Sequence, residues 1–189
     1  YCATCDGPFY RNQEIAVVGG GNTAIQDALH LTKFASKVTV IHRREELRAT
    51  KVLQEKAFCN PKIDFLWNTQ VTEIAGDKSG VAELFLRRNS GEEWTLKATG
   101  IFVLIGVMPN SDLLPPELHT DAAGFVVTDE EMATNLPGVY AAGDIRSKRF
   151  RQIINAAGEG AVAELSAEHY LGSQAPSQPF NCSESRGPA

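Results

Sequence analysis

Ile15-Ala16-Val17-Val18 is a short uninterrupted apolar run that stops at Gly19-Gly20-Gly21, the pattern of a buried parallel strand entering a tight turn. From Asn22 to Ala35 the period changes. Ala24, Ile25, Ala28, Leu29, Leu31 and Ala35 recur at mixed three- and four-residue spacing, which predicts a helix with one apolar stripe. Val38-Thr39-Val40-Ile41 supplies a second strand. Strand, turn, helix, strand is the order that lays two parallel strands side by side with a right-handed crossover. Glu45 to Phe58 then reads as a further amphipathic helix, acidic in its first turn where the helix dipole favours negative charge.

After Pro61 the pattern becomes β-prone. Ile63 to Ile74, Val81 to Arg88 and Glu92 to Ala98, separated by Gly, Asp, Ser and Asn turns, predict an antiparallel meander. Gly100 to Ile105 returns to a continuous apolar strand, which places Ile105 and Gly106 at the carboxyl end of a parallel sheet, where ligands of open α/β sheets collect. Pro109 to Pro116 is turn-rich and marks a boundary. Beyond it, Phe125-Val126-Val127 and Val139-Tyr140-Ala141-Ala142 read as strands, and Arg151 to Leu171 as a helix with Ile154, Ala157, Ala161, Leu165 and Tyr170 on one side. Gly172 to Ala189, rich in Ser, Pro, Gln and Gly, reads as a disordered tail. The predicted class is α/β: a Rossmann-like, three-layer nucleotide-binding domain with an antiparallel β-meander over residues 1–108, a second partial domain over 109–171, and the tail.

Composition narrows the partners. A net charge of −5 over 189 residues disfavours broad attraction to nucleic acid or to an anionic membrane, while a local basic cluster can still hold one phosphate. No apolar run is long enough to span a bilayer. Cys2 and Cys5 form a CxxC pair, with Cys59 and Cys182 distant from it and from each other. The four solitary histidines leave no second ligand pair for zinc, so no metal site is expected. A redox dithiol in a reducing cytoplasm is the better reading.

Gly19, Gly21 and Ala24 satisfy a Gly-x-Gly-x-x-Ala turn between a strand and a helix, the context in which backbone amides approach a dinucleotide pyrophosphate. Gly20, Asn22 and Thr23 share that turn. At the end of the second strand stand His42, Arg43 and Arg44, with Arg48 a turn further on and no carboxylate at the strand end. Guanidinium forks there select the 2′-phosphate of NADPH over the free ribose hydroxyl of NADH. Cations at a helix start oppose the dipole, which argues that Arg43 and Arg44 serve a ligand. His42 either packs beside the adenine or caps the strand. Asp6 is either a proton donor or acceptor beside the dithiol or a turn residue before Gly7-Pro8. Because a nicotinamide moves a hydride, a flavin is the expected intermediary to a disulfide.

Cys2-Ala3-Thr4-Cys5-Asp6-Gly7, Gly19 to Ala24, His42-Arg43-Arg44 with Arg48, and Gly138-Val139-Tyr140-Ala141-Ala142-Gly143-Asp144 together resemble the low-molecular-weight thioredoxin reductases, over Tyr1 to about Leu171. The resemblance implies paired Rossmann-like domains, one for NADPH and one for FAD, with electrons passing from NADPH through FAD and the Cys2–Cys5 disulfide to thioredoxin or a similar disulfide protein. It implies that Gly143 and Asp144 hold the ribityl and phosphate region of FAD and that Arg151, Gln152 and Ile153 lie against its ring. It also implies that Cys5 faces the flavin, that Cys2 attacks the substrate disulfide, that Asp6 is the acid, and that the full-length enzyme is a homodimer whose domains swing between steps. The family's first FAD segment is expected to precede Tyr1, so the isolated chain is expected to hold flavin weakly or not at all. The alternatives are an NADH-dependent peroxiredoxin reductase, which would carry an acidic residue where Arg43 and Arg44 stand, and an NADPH-binding module without turnover.

Overall fold

The structure, a computed structural model, describes residues 2–174, which divide into two compact units, one up to Gly106 and one from Val107. In the first unit, β1 (Glu14–Val18), β2 (Lys37–Ile41), β3 (Ile63–Leu66) and β7 (Ile101–Val103) form a parallel sheet in the order β3-β2-β1-β7. The remaining strands, β4 (Thr69–Asp77), β5 (Gly80–Arg88) and β6 (Glu93–Lys97), form an antiparallel meander. One face of the parallel sheet buries Ile15, Val17, Val38 and Val40 against Ala24, Ile25, Ala28 and Leu31 of α2 (Asn22–Leu31) and Ala57 of α3 (Lys51–Phe58). The opposite face buries Ala16 and Ile41 against Leu84 and Leu86 of the meander. The period-2 alternation of β1 and β2 therefore serves two apolar layers, which gives the three-layer architecture. A short α1 (Ala3–Asp6) and a 3₁₀ turn (Gly7–Tyr10) precede the sheet, and Ala3 of α1 joins the α2 side of the core.

Several boundaries differ from expectation, each for a local reason. The helix predicted from Glu45 begins only at Lys51. The Arg48 and Ala49 amides donate to the Gly20 carbonyl and the Glu46 carbonyl accepts from His42 Nε2, so the backbone of this segment is engaged with the glycine turn and the end of β2. Arg43 and Arg44 accordingly lie on a loop, and the helix-dipole argument for them does not apply. α2 stops at Leu31, where the Thr32 hydroxyl donates to the Leu29 carbonyl and Lys62 Nζ donates to the carbonyls of Thr32 and Ala35. The segment Ile63 to Ile74 is two strands. Asn68, at φ +53°, turns the chain between them, so that β3 extends the parallel sheet beside β2 and only β4 enters the meander.

In the second unit, the predicted strands at 125–127 and 139–142 are reduced to isolated bridges, Thr120 with Val126, Val126 with Arg146 and Ala133 with Tyr140. Asp121 takes over turn formation there, its carboxylate accepting the Ala123 and Phe125 amides at 2.8 and 3.0 Å. A 3₁₀ turn (Gly143–Ile145) leads to α4 (Ile153–Gln174), which starts two residues later than expected and includes Gly172, Ser173 and Gln174 from the segment read as tail. The rest of that segment lies outside the described residues. None of the α4 side chains is buried, so the stripe of Ile154, Ala157, Ala161, Leu165 and Tyr170 does not face a core.

Candidate dithiol and dinucleotide sites

The geometry of α1 follows from its two cysteines. Cys2 is the N-cap residue and is disulfide-bonded to Cys5, with Cα atoms 5.2 Å apart. The Cys5 amide donates to Cys2 Sγ at 3.1 Å, and the Cys5 and Asp6 amides both donate to the Cys2 carbonyl. In the reduced state an N–H directed at Cys2 Sγ favours the thiolate at that sulfur. Asp6 accepts the Cys2 amide through Oδ2 at 3.4 Å, so its carboxylate closes this turn. Cys5 is exposed and Cys2 half-buried. Cys59, the other cysteine within the described residues, is an exposed free thiol, and Cys182 lies outside them.

β1 ends at Val18 beside β7, and this is where the sheet order reverses: β2 and β3 lie on one side of β1 and β7 on the other. The crevice at the carboxyl ends of β1 and β7 is the switch-point position at which doubly wound sheets bind nucleotides. Gly19 occupies it at φ +150°, with a Cβ there falling against the Leu104 carbonyl and 2.7 Å from Ala24 Cβ. Gly21, the N-cap of α2, differs: a Cβ at this position would meet nothing within 4 Å. The turn is therefore closed on its protein side at Gly19 and open on its outer side at Gly21, as backbone approach by a phosphate requires. Ala24 is fully buried, Thr23 is exposed, and Asn22 is engaged within the protein, its Oδ1 accepting the Thr50 amide at 2.8 Å. Ile105, 68% exposed, and Gly106, at φ +120°, follow β7 at the same edge of the sheet.

Arg43, Arg44 and Arg48 line an open concavity at the end of β2 together with Glu45, Glu46, Leu47, Asn68 and Asn89. All three arginines are exposed. Among the described residues none has a carboxylate within ion-pair distance, Glu45 and Glu46 included. Three guanidinium groups without protein counter-ions at one concavity suit a dianion. The loop that carries them is held from beneath. The Arg44 carbonyl accepts the Asn68 amide at 3.2 Å, the Arg43 carbonyl accepts Asn89 Nδ2 at 3.3 Å, and the Asn89 amide donates to the Asn68 carbonyl. Sequence reading missed Asn68 and Asn89, whose signal was Asn at turns flanking the meander strands.

His42 directly follows β2, its amide donating to the Leu66 carbonyl and its carbonyl accepting the Thr69 amide. It is 6% exposed, and its ring occupies the volume that a side chain at residue 20 would need. Nε2 donates to the Glu46 carbonyl at 3.0 Å, and Trp67 lies edge-on 6.4 Å away. Burial holds the imidazole below its ordinary value, opposed by the hydrogen bond to Glu46, while the charges of Arg48, Arg44 and Arg43 add to the lowering. The residue is a neutral internal side chain.

The remaining predicted positions, Gly143, Asp144, Arg151, Gln152 and Ile153, all fall in the second unit. The Gly143 amide donates to Glu159 Oε2 at 2.8 Å, and that carboxylate also pairs with Arg146 and Lys148 at 3.0 Å each. Arg151 donates to the carbonyls of Asp144, Arg146 and Lys148 and stacks on Phe125 at 3.9 Å, so its guanidinium clasps the segment after Gly143. The Asp144 side chain is 66% exposed and only loosely paired with Lys148 at 3.8 Å. Gln152 and Ile153 are exposed at the start of α4. Glu159 was not anticipated, because a lone Glu on a helix carries no sequence signal. Among the described residues no cluster able to hold a metal is found, and no helix is long and apolar enough to cross a membrane.

One unit thus carries the Cys2–Cys5 disulfide, a glycine turn at a sheet switch point and an arginine cluster without ion pairs among the described residues. The chain belongs to the pyridine nucleotide-disulphide oxidoreductase family, whose model matches residues 1–160. Within it, the chain is similar to thioredoxin reductases. It is 49% identical over 177 residues to that of Peptoclostridium acidaminophilum, covering 90% of this chain and 56% of the relative. It is 45% identical over 172 residues to that of Bacillus subtilis strain 168, covering 90% and 54%. The crystal structure of thioredoxin reductase from Streptococcus pyogenes MGAS5005 superposes with a TM-score of 0.82 at 44% identity, covering 92% of this chain and 57% of that one. The chain thus spans about half the length of the relatives it matches.

Proposed function

We propose that this chain carries the NADPH-binding and dithiol part, and a segment of the FAD-binding part, of a thioredoxin reductase whose substrate is thioredoxin or a similar disulfide protein. The observation that carries the reading is the Cys2–Cys5 disulfide on the same compact unit as a switch-point glycine turn and three arginines that form no ion pair among the described residues. When bound, NADPH supplies a hydride and FAD converts it to the electron pair that a disulfide needs. Gly19 to Ala24, with Ile105 and Gly106, would hold the dinucleotide backbone, and Arg43, Arg44 and Arg48 its 2′-phosphate. Asp144, whose side chain is exposed, would accept a hydrogen bond from a flavin side-chain hydroxyl, and Gln152 and Ile153 would hold the ring. Gly143 and Arg151 shape that segment through Glu159 and the carbonyls described above.

The protein's own steps are thiol exchange. With Cys2 and Cys5 reduced, the Cys2 thiolate, favoured by the Cys5 amide, attacks one sulfur of the partner's disulfide and expels the other as thiolate. Cys5, giving up its thiol proton to the Asp6 carboxylate or to solvent, then attacks Cys2 Sγ, restoring the Cys2–Cys5 bond and releasing the partner's second sulfur. Each released thiolate takes up a proton, and Asp6 is the nearest carboxyl in sequence to deliver it. The family pattern adds a cytoplasmic homodimer to the proposal.

Trapping tests the assignment. Cys5→Ser in the full-length protein should accumulate a mixed disulfide between Cys2 and thioredoxin, identified by mass spectrometry of the linked peptides. Trapping by Cys2→Ser instead would reverse the roles, and no adduct from either variant would contradict the proposal.

A further inference from the structure

The glycine turn and the arginine loop meet at His42. Its ring lies where a Cβ on residue 20 would sit, against ring atoms including Nδ1 at 2.5 Å and Nε2 at 2.7 Å. Its Nε2–H reaches forward to the Glu46 carbonyl, in the middle of the arginine loop. The Gly20 carbonyl in turn accepts the amides of Arg48 at 2.7 Å and Ala49 at 3.0 Å. At its root, the His42 amide donates to the Leu66 carbonyl and its carbonyl accepts the Thr69 amide, which fixes the residue to β3 and β4. The ring is thus held at one end by the sheet and in contact with both candidate phosphate subsites at the other.

We infer that His42 is a positioning residue that couples the two subsites: its imidazole, seated against Gly20 and bonded to Glu46, fixes the loop of Arg43, Arg44 and Arg48 relative to the glycine turn. This role requires no contact between His42 and either phosphate. The inference rests on the reading of those arginines as a 2′-phosphate site for its ligand, and on geometry alone for the brace. Gly20 leaves room for the ring, whose atoms a Cβ at that position would meet. Gln at residue 42 retains an N–H donor at about the reach of Nε2, whereas Ala removes both the bond and the packing.

The test uses the full-length protein with His42→Ala, His42→Gln and Gly20→Ala, and the double variant of His42→Ala with Gly20→Ala. Amide hydrogen exchange of residues 43–49 should quicken in His42→Ala and in Gly20→Ala, return toward normal in His42→Gln, and stay unchanged in β5. In the double variant the added methyl enters vacated space, so Gly20→Ala should cost less there than alone, a non-additivity that independent sites do not show. Calorimetric titration with 2′,5′-ADP and with ADP reads the consequence. His42→Ala should weaken 2′,5′-ADP by about tenfold, the factor one lost positioning hydrogen bond carries, and ADP much less. Unchanged exchange in His42→Ala, or additive effects in the double variant, would overturn the brace. If the unmutated protein binds both probes equally, the 2′-phosphate reading fails, and exchange and additivity still decide the brace.

Discussion

Glu159 accepts the Gly143 amide at 2.8 Å while the same carboxylate holds Arg146 and Lys148, so one side chain of α4 fixes the loop bearing Asp144. Burial pushes this carboxyl up, but the hydrogen bonds from Lys148 and Gly143 and the charges of Arg146 and Lys148 outweigh it and hold it below the ordinary glutamate value. Its side chain is 15% exposed, so the pair is only partly screened. Glu159→Gln should destabilise the second unit by about 1–3 kcal/mol, the range for breaking a partly buried charged network. Denaturant unfolding of the full-length protein at neutral pH checks this.

A pH dependence follows from the same residue. A glutamate whose folded value is depressed contributes stability in full above its ordinary value of 4.5, and that contribution is lost as pH falls below it through the folded value. His42 acts in the same direction at higher pH. The unfolded chain takes up its proton near 6.5 while the folded chain resists, so stability should begin to decline as pH drops below 6.5. Melting curves of the unmutated protein and His42→Gln between pH 7.5 and pH 5 should converge toward the acid end, an expectation set by that linkage.

Gly19 and Gly21 should respond to alanine in opposite ways. Gly19→Ala drives a methyl into the Leu104 carbonyl and Ala24 at a backbone conformation strained for any side chain, and should cost about 2 kcal/mol or more of stability. Gly21→Ala has open space and φ −90°, so the fold should be unaffected while NADPH binding weakens by about tenfold or more as the methyl blocks phosphate approach. Thermal melting and NADPH titration of the two variants separate these effects.

Arg43→Ala and Arg44→Ala should each raise the NADPH dissociation constant by about 10- to 100-fold, as expected for one charge-assisted contact to a dianion, and leave NADH nearly unchanged. Their melting temperatures should not move, because neither guanidinium has a carboxylate partner among the described residues. The NADPH effect should shrink as salt is added.

The first crossover was legible because β1, the glycine turn, α2 and β2 each follow a local rule: apolar run, tight turn, helical stripe, apolar run. The arginine loop was not. Glu45 to Ala49 has helical spacing, but the Gly20 carbonyl and the His42 ring, both distant in sequence or hidden by it, draw its backbone groups away from a helix. β3 escaped for a similar reason, since nothing in Ile63 to Ile74 except the Asn at residue 68 reveals that the chain changes sheets there. Of the site, the cysteines, glycines and arginines were visible as motifs. Their supports, Asn68, Asn89, Asn22 with Thr50 and Glu159, act through contacts between elements and leave no local pattern.

In the proposed function, electrons from NADPH arrive at Cys2 and Cys5. The most direct measurement is anaerobic alkylation of the full-length, FAD-supplied protein before and after addition of NADPH or NADH, followed by mass spectrometry of the peptide bearing both cysteines. NADPH should convert the Cys2–Cys5 disulfide to two thiols that are then alkylated, and NADH should do so poorly. NADPH oxidation with the disulfide intact would contradict it.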